Sequence, residues 1–361
     1  MNRKDEIKRI RTEIDEIDRN ILDLINRRLL KAKDIGAIKN REGDHVFDSA
    51  RESELIQKLQ GDNRGPISSH ALRHIFTEII AAAREIQSPQ KIAYLGPEAT
   101  FTHIAAINHF GRSVSFIPQA GISDIFGGVE KDLYHFGVVP VENSIEGAVN
   151  YTLDLFAESE LKICAEIYHS ISHDLLSKSG TVGDIRSIYS HPHAFAQCRQ
   201  WLQKNLAGCV LTECSSTAEA ARKASEETGT AAIASREAAQ LYKLQVVASK
   251  IEDTSRNVTR FLVIGKNNIR PTGRDKTSVM FVTSHVPGAL YKVLQPISES
   301  GTNMVKLESR PSKHENWSYM FFVDFEGHMA DPNIQATIDR MRPLCLFLKW
   351  LGSYPRANEV K

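Results

Sequence analysis

From Ile7 onward the apolar residues step by three and four: Ile7, Ile10, Ile14, Ile17, Ile21 and Leu24. That spacing keeps one stripe on one side and predicts a single long helix with a heptad seam. Continuing the count lands on Arg28, Lys31, Ile35 and Ile38, so two seam positions that should be apolar are cationic. Gly43 is expected to end the helix. Ser49-Ala50-Arg51-Glu52 fits a capping box for a second helix, with Leu55, Ile56 and Leu59 as its apolar side and Gly61 as its stop. Pro66 suits the first turn of a third helix, whose stripe runs Leu72, Ile75, Phe76, Ile79, Ile80, Ala83 and Gln87. Two short partners cannot cover a seam this long, so the expectation is a helical homodimer.

The other 270 or so residues have a different texture. A chain of 361 residues has room for two or three domains at roughly 100–200 residues each. Ser88-Pro89-Gln90 and the stretch 267–273, rich in Asn, Pro and Gly, are the expected joints. They divide the chain into 1–88, 91–268 and 276–361. The middle segment alternates buried strands (Lys91–Leu95, Phe136–Val141, Ala231–Ala234) with helices (His193 to Leu206, Ser216 to Glu227), which implies an α/β sheet. The last segment reads strand (Thr277–Ser284), helix (Gly288–Ser300), strand (Asn303–Arg310), strand (Trp317–Phe325), helix (Asn333–Leu344), strand (Leu346–Leu351). That βαββαβ order is ferredoxin-like, an α+β unit. Lys and Arg number 45 against 44 Asp and Glu, so no chain-wide basic surplus points to nucleic acid. No apolar run approaches the ~18 residues of a membrane span. Met1 to Glu6 leads into no apolar signal segment. The five cysteines include no C-x-x-C pair. They read as reduced thiols of a cytoplasmic protein, with no metal or organic cofactor implied.

The cations on the first helix carry chemistry. A buried guanidinium at Arg28 costs several kcal/mol unless paired. Lys39 lies 11 residues on, within about 20° of it around the helix. Asp48, Arg51 and Glu52 open the next helix, and Gln87 ends the stripe of the third. Any one of these charges reads as a solvated face. Together they read as a polar pocket inside an apolar bundle. Arg11, Arg28, Lys39, Asp48, Arg51, Glu52 and Gln87, at these intervals, resemble the all-helical chorismate mutases over residues 5–88. The resemblance implies a clamp of Arg11, Arg28 and Arg51 for the two carboxylates of chorismate. It implies Lys39 and Gln87 as donors to the ether oxygen, Glu52 as acceptor from the ring hydroxyl, and Asp48 and Ala83 beside the substrate. Ala83 stands where the family often has serine, which should weaken binding by on the order of 1 kcal/mol. The rearrangement needs no acid, base or nucleophile, only oriented charge. Arg11 and Arg28 are 17 residues apart, roughly 25 Å along one helix. If Arg11 contacts substrate, it must do so in a partner's site, which requires an interlocked dimer with two composite sites.

In the middle segment, four patches place small polar residues after strands or at helix starts. They are 96–102 (with Thr100), 140–147 (with Glu142, Asn143 and Ser144), 190–198 (with His191 and Gln197), and Asn257-Val258-Thr259-Arg260-Phe261. Ligands gather at such places in open α/β sheets, although each patch by itself is ordinary turn and capping chemistry. In this order they resemble prephenate dehydratase over about 91–266. The resemblance implies two lobes around a cleft, like a type II periplasmic binding protein. It also implies loss of hydroxide and carbon dioxide from prephenate to give phenylpyruvate. Thr259 is the expected hydroxyl beside the departing oxygen, with Arg260 for charge complementarity. Thr100, Glu142, Asn143, Ser144, Gln197 and Phe261 would orient the substrate. A threonine is a poor acid, so a hydrogen-bonding or relay role fits it, and Glu142 with a raised pKa is the rival proton donor. His191 reads as a structural hydrogen bonder.

In the last segment, Pro287-Gly288-Ala289-Leu290-Tyr291 and Glu308-Ser309-Arg310-Pro311 resemble the ACT regulatory domain over about 276–355. The resemblance implies L-phenylalanine bound between paired domains by Gly288, Ala289, Leu290, Asn303, Glu308, Ser309, Arg310 and Pro311, with feedback inhibition. Ser284-His285-Val286 departs from the Asp/Asn-rich turn usual there. The whole reads as a bifunctional enzyme making phenylpyruvate from chorismate. Two alternatives stay open: a dehydratase with a non-catalytic dimerising helical domain, and a non-catalytic sensor of a small acid.

Overall fold

The computed structural model describes residues 2–42, 48–311 and 319–357. The chain folds as two units. One holds residues 1–48, 55–90 and 110–115, and the other holds 49–54, 91–109 and 116–361.

The first unit is helical: α1 (Arg3–Glu42), most of α2 (Ser49–Asp62) and α3 (Ser69–Gln87). α3 packs on α1, and its buried side chains are Leu72, Ile80, Ala81, Ala83 and Arg84. At Gly36 the two helices come close, since a Cβ there would lie 2.6 Å from Cγ of Gln87. The seam of α1 from Ile7 to Leu24 is left open by the described residues, its apolar side chains being 42% to 59% exposed. Three expectations at helix ends need correction. α2 starts at Ser49 itself, which is therefore its first helical residue and not its cap, and the Ser49 Oγ donates to the Cys164 carbonyl. Gly61 lies inside α2. Pro66 precedes α3, because the Ser68 hydroxyl accepts from the Ala71 N–H and fixes the start there. Gly43 lies outside the described residues.

The second unit opens with lobe A. Its strands are β1 (Lys91–Leu95), β2 (Ser115–Gln119), β3 (Phe136–Asn143), the short β4 (Gly147–Ala148), β5 (Lys162–Ser170) and, much later, β11 (Val258–Gly265). Its helices are α4 (Phe101–Phe110), α5 (Ile122–Glu130) and α6 (Asn150–Glu158). The sheet order is β2-β1-β3-β11-β5, with β11 antiparallel to both neighbours. The chain crosses at residues 171–173 into lobe B: β6 (Asp174–Ser177), β7 (Ser187–Ser190), α7 (Pro192–Gln197), α8 (Arg199–Asn205), β8 (Val210–Glu213), α9 (Thr217–Glu226), β9 (Thr230–Ala234), α10 (Arg236–Tyr242) and β10 (Gln245–Ala248), in sheet order β10-β6-β9-β7-β8. It returns at 249–257 into β11. The expected single helix from His193 to Leu206 is two helices broken at Cys198, where the Asp253 carboxylate accepts from the Gln200 and Trp201 N–H groups and caps α8.

The C-terminal part is β12 (Asp275–Val282), α11 (Ala289–Glu299), β13 (Met304–Pro311), β14 (Tyr319–Glu326), α12 (Pro332–Met341) and β15 (Phe347–Pro355). The sheet order β13-β14-β12-β15 is that of the ferredoxin-like fold. Its sheet shares one core with lobe A, where Met280, Phe322, Leu351 and Tyr354 pack among Val139, Phe156, Leu161 and Leu262. At Gly352 the backbone comes so close to β5 that a Cβ would lie 2.4 Å from the Ile163 carbonyl oxygen, and φ is +148°. Among the described residues no helix is long and apolar enough to cross a membrane.

Candidate active sites

In the helical unit, α1 carries Arg28 and Lys39, both half-buried. Gln87 rests on Gly36, one turn from Lys39, and its amide donates to the Ala83 carbonyl. Ala83 is buried and Asp48 half-buried. Arg51 and Glu52 lie in the first turn of α2, which belongs to the second unit. Arg11 is exposed on the uncovered stretch of α1, far from Arg28 along the axis. Sequence reading missed Arg84, which is only 3% exposed. It donates to the Phe110 carbonyl and lies over the Phe110 ring, 5.5 Å from its centroid.

Between the lobes lies a cleft of about 600 Å³, lined by the start of α4 (Thr100, Phe101, Thr102), the end of β3, the first turn of α9 (Ser215, Ser216, Thr217) and both interlobe crossings. Its lining among the described residues includes His173, His191 and His193 but no Lys or Arg. An anion there would meet helix N-termini, whose first N–H groups have no helical partner and whose dipole favours negative charge. At its floor, Asn143 Nδ2 donates to Thr259 Oγ1 at 2.8 Å and to Asn257 Oδ1 at 2.7 Å. Asn143 Oδ1 accepts from the Ile145 and Glu146 N–H groups, which fixes the amide's orientation. Gln197 Oε1 accepts from Asn257 Nδ2 at 2.8 Å and stands 2.9 Å from His173 Nε2. Phe261 forms an apolar wall. The Thr100 hydroxyl donates to the Leu95 carbonyl and accepts from the His103 N–H, locking the turn into α4. His191 caps α7, accepting from the His193 N–H. His173 and Asn257 sit on the two crossings. Asn257 belonged to a recognised motif, whereas His173 carries no local signal.

Three expected cleft residues lie elsewhere. Successive residues of a strand point to opposite faces, so Arg260 leaves β11 on the side away from Thr259 and Phe261. It is buried in an ionic cluster with Glu166 (2.9 Å) and Asp324 (2.7 Å), and it donates to the Tyr354 hydroxyl. Lys276 completes the cluster, 2.8 Å from Glu166. Glu142 likewise turns away from Asn143 and pairs with Lys306 of β13 at 2.5 Å. Ser144 accepts from the Val258 N–H and donates to the Arg256 carbonyl, fastening the loop after β3 to the start of β11.

The C-terminal part holds a second cavity of about 420 Å³, formed by residues 283–291, Tyr319 and Phe321. Gly288 has φ +78° with open space around its missing Cβ, so the left-handed backbone is what calls for glycine there. Ala289 and Leu290 line the cavity with it. Asn303, Glu308, Ser309, Arg310 and Pro311 do not line it within this chain. Asn303 accepts from the Glu326 N–H through its carbonyl. The rest lie on β13, the edge strand, where Arg310 pairs with Asp154 of α6 at 2.7 Å.

The geometry thus defines an α/β enzyme with a cleft for a small anion, joined to a helical unit and a ferredoxin-like sheet. The prephenate dehydratase family model matches residues 92–269, and the chorismate mutase type II model matches residues 10–88. A bifunctional chorismate mutase/prephenate dehydratase of Aquifex aeolicus is 46% identical over 357 residues, covering 98% of this chain and 99% of that one. Its counterpart in Pseudomonas aeruginosa is 40% identical over 360 residues, with 98% and 99% covered. Among solved structures, prephenate dehydratase from Arthrobacter aurescens in complex with L-Phe is 32% identical with a TM-score of 0.68, covering 74% of this chain and 90% of that one. The chain belongs to the bifunctional chorismate mutase/prephenate dehydratase family. It rearranges chorismate to prephenate and converts prephenate to phenylpyruvate, in phenylalanine biosynthesis.

Proposed function

We propose that the two reactions are divided between 1–88 and 91–268, with 276–361 as sensor, and that Thr259 is the hydroxyl that assists dehydration. The observation that carries this is the Asn143–Thr259 pair at the floor of the cleft. Because Asn143 donates to Oγ1, the threonine's own hydrogen is left to donate to the departing hydroxyl of prephenate. Aromatisation on loss of carbon dioxide drives the step. The openings of α4 and α9 receive the carboxylates, and Phe261 sets the ring's place. Glu142 is ion-paired with Lys306 outside the cleft, which favours Thr259 over it as the donor. Arg260 acts by holding β11 from behind.

Among residues 1–88, Arg28, Lys39, Arg51, Glu52 and Gln87, with Asp48 and Ala83 as further substrate contacts, are assigned to chorismate, and Arg11 to the site of the partner in a homodimer. The uncovered seam of α1 supports that assembly. L-Phenylalanine is the effector. Its ring suits Tyr319 and Phe321, its charged end suits the amides that follow Gly288, and β13 of a second copy closes the site with Glu308 to Pro311. The enzyme works in the cytoplasm with its cysteines reduced.

Purified enzyme given only chorismate should release phenylpyruvate, and added L-phenylalanine should slow it. With Thr259→Ala the same experiment should stop at prephenate, which accumulates. Phenylpyruvate formed by that variant at near the parent rate would overturn the assignment.

A further inference from the structure

The hydrogen bonds at the cleft floor run through five side chains, from His173 to Gln197, Asn257, Asn143 and Thr259. Their direction can be worked out from the anchored end. Asn143 Oδ1 is occupied by two backbone N–H groups, so its NH2 faces Asn257 and Thr259. Asn257 Oδ1 then accepts, and its NH2 donates to Gln197 Oε1. His173 Nε2 approaches that same oxygen, so it must carry the hydrogen. Nδ1 of His173 is therefore a bare acceptor, and it is buried without a partner. Burial also holds the imidazole below the ordinary histidine range, its bond to Gln197 opposing this only partly. The chain of bonds spans both lobes: Gln197 stands on α7 of lobe B, Asn143 and Thr259 stand on lobe A, and His173 and Asn257 stand on the two crossings.

We infer that His173 and Asn257 are positioning residues of the dehydratase, fixing the Gln197 and Asn143 amides across the lobes so that the Thr259 hydroxyl can only donate toward substrate. The inference rests on the assignment of this cleft to dehydration. Neither residue needs to touch the reacting atoms. Misplacing a reacting group by about 1 Å can cost on the order of 10²-fold in rate.

The test compares His173→Phe, His173→Gln, Asn257→Ala and Thr259→Ala in the full-length enzyme. His173→Phe and Asn257→Ala should lower dehydratase kcat on the order of 10²-fold, with KM within about threefold. His173→Gln keeps a donor near the Nε2 position and should recover most of the loss. Mutase activity, measured on the same samples, standardises the amount of enzyme, and an unchanged denaturant-unfolding midpoint of the two-lobed part reports that each variant is folded. Failure of His173→Gln to exceed His173→Phe, or full kcat in Asn257→Ala while Thr259→Ala is dead, would overturn the inference alone. Full dehydratase activity in Thr259→Ala would instead overturn the cleft assignment beneath it.

Discussion

In the proposed mutase site Gln87 is the hydrogen-bond donor that does not titrate. An amide in that role would donate to the developing charge on the ether oxygen at any pH. The mutase rate should therefore stay nearly flat from mildly acidic to neutral pH. Gln87→Glu should convert that plateau into a slope: the carboxyl donates only when protonated, so the rate falls as pH rises through its pKa. A parent enzyme that loses its rate sharply above pH 6 would refute this role. The Thr-Arg-Phe triplet shows how far residues can be read ahead of a structure. Thr259 and Phe261 were legible as cleft residues, and so in principle was the error over Arg260, because alternation along a strand must place it opposite its neighbours. The same holds for Glu142 beside Asn143. What alternation could not supply was the partner on the far side, Glu166 and Asp324 for one and Lys306 for the other, each more than 60 residues away. His173 was illegible for a different reason: its place comes from a crossing between lobes and not from any local pattern.

Among the elements, β11 faces the cleft with one side and the C-terminal sheet with the other, so the buried ionic cluster of Arg260, Glu166, Asp324 and Lys276 lies between the two. Burial by itself would raise the Asp324 carboxyl, but the Arg260 guanidinium and the Ser278 hydroxyl outweigh it and hold the group below the ordinary aspartate range. A carboxyl depressed in this way contributes stability above its unfolded-state pKa near 4 and loses it as pH falls through the folded value. The junction between lobe A and the C-terminal sheet should therefore hold at neutral pH and weaken below about pH 4. Asp324→Asn should cost about 3–5 kcal/mol at pH 7, the usual penalty for stranding a buried cation, and should flatten the acid dependence. Denaturant unfolding of both proteins at pH 7 and pH 4 reads this directly, and equal midpoints at pH 7 would count against it. The elements themselves were largely legible, because the βαββαβ order follows from periodicity. Their ends were less so. The break at Cys198 depends on Asp253, a cap supplied from the opposite crossing, which no window around residue 198 contains.

Over the whole molecule, the long helix is what the proposed homodimer rests on. Arg11 and Arg28 lie on one rod, roughly 25 Å apart by helical rise, and the apolar seam around Arg11 is exposed among the described residues. Burying that seam against a second copy would bring Arg11 to the partner's Arg28, giving two sites each built from both chains. This makes a quantitative prediction. Arg11→Ala and Arg28→Ala homodimers should both lack mutase activity, since each site in either has lost one arginine. In a mixed dimer, one site loses both arginines and the other keeps both. Random exchange makes about half of the dimers mixed, so the mixture should regain about one quarter of the parent mutase activity. Dehydratase activity, which needs neither arginine, serves as the internal standard for enzyme concentration. Co-refolding or co-expressing the two variants and assaying chorismate loss would show it. If each site were complete within one chain, mixing would restore nothing, and the seam of α1 would need another reason to be apolar.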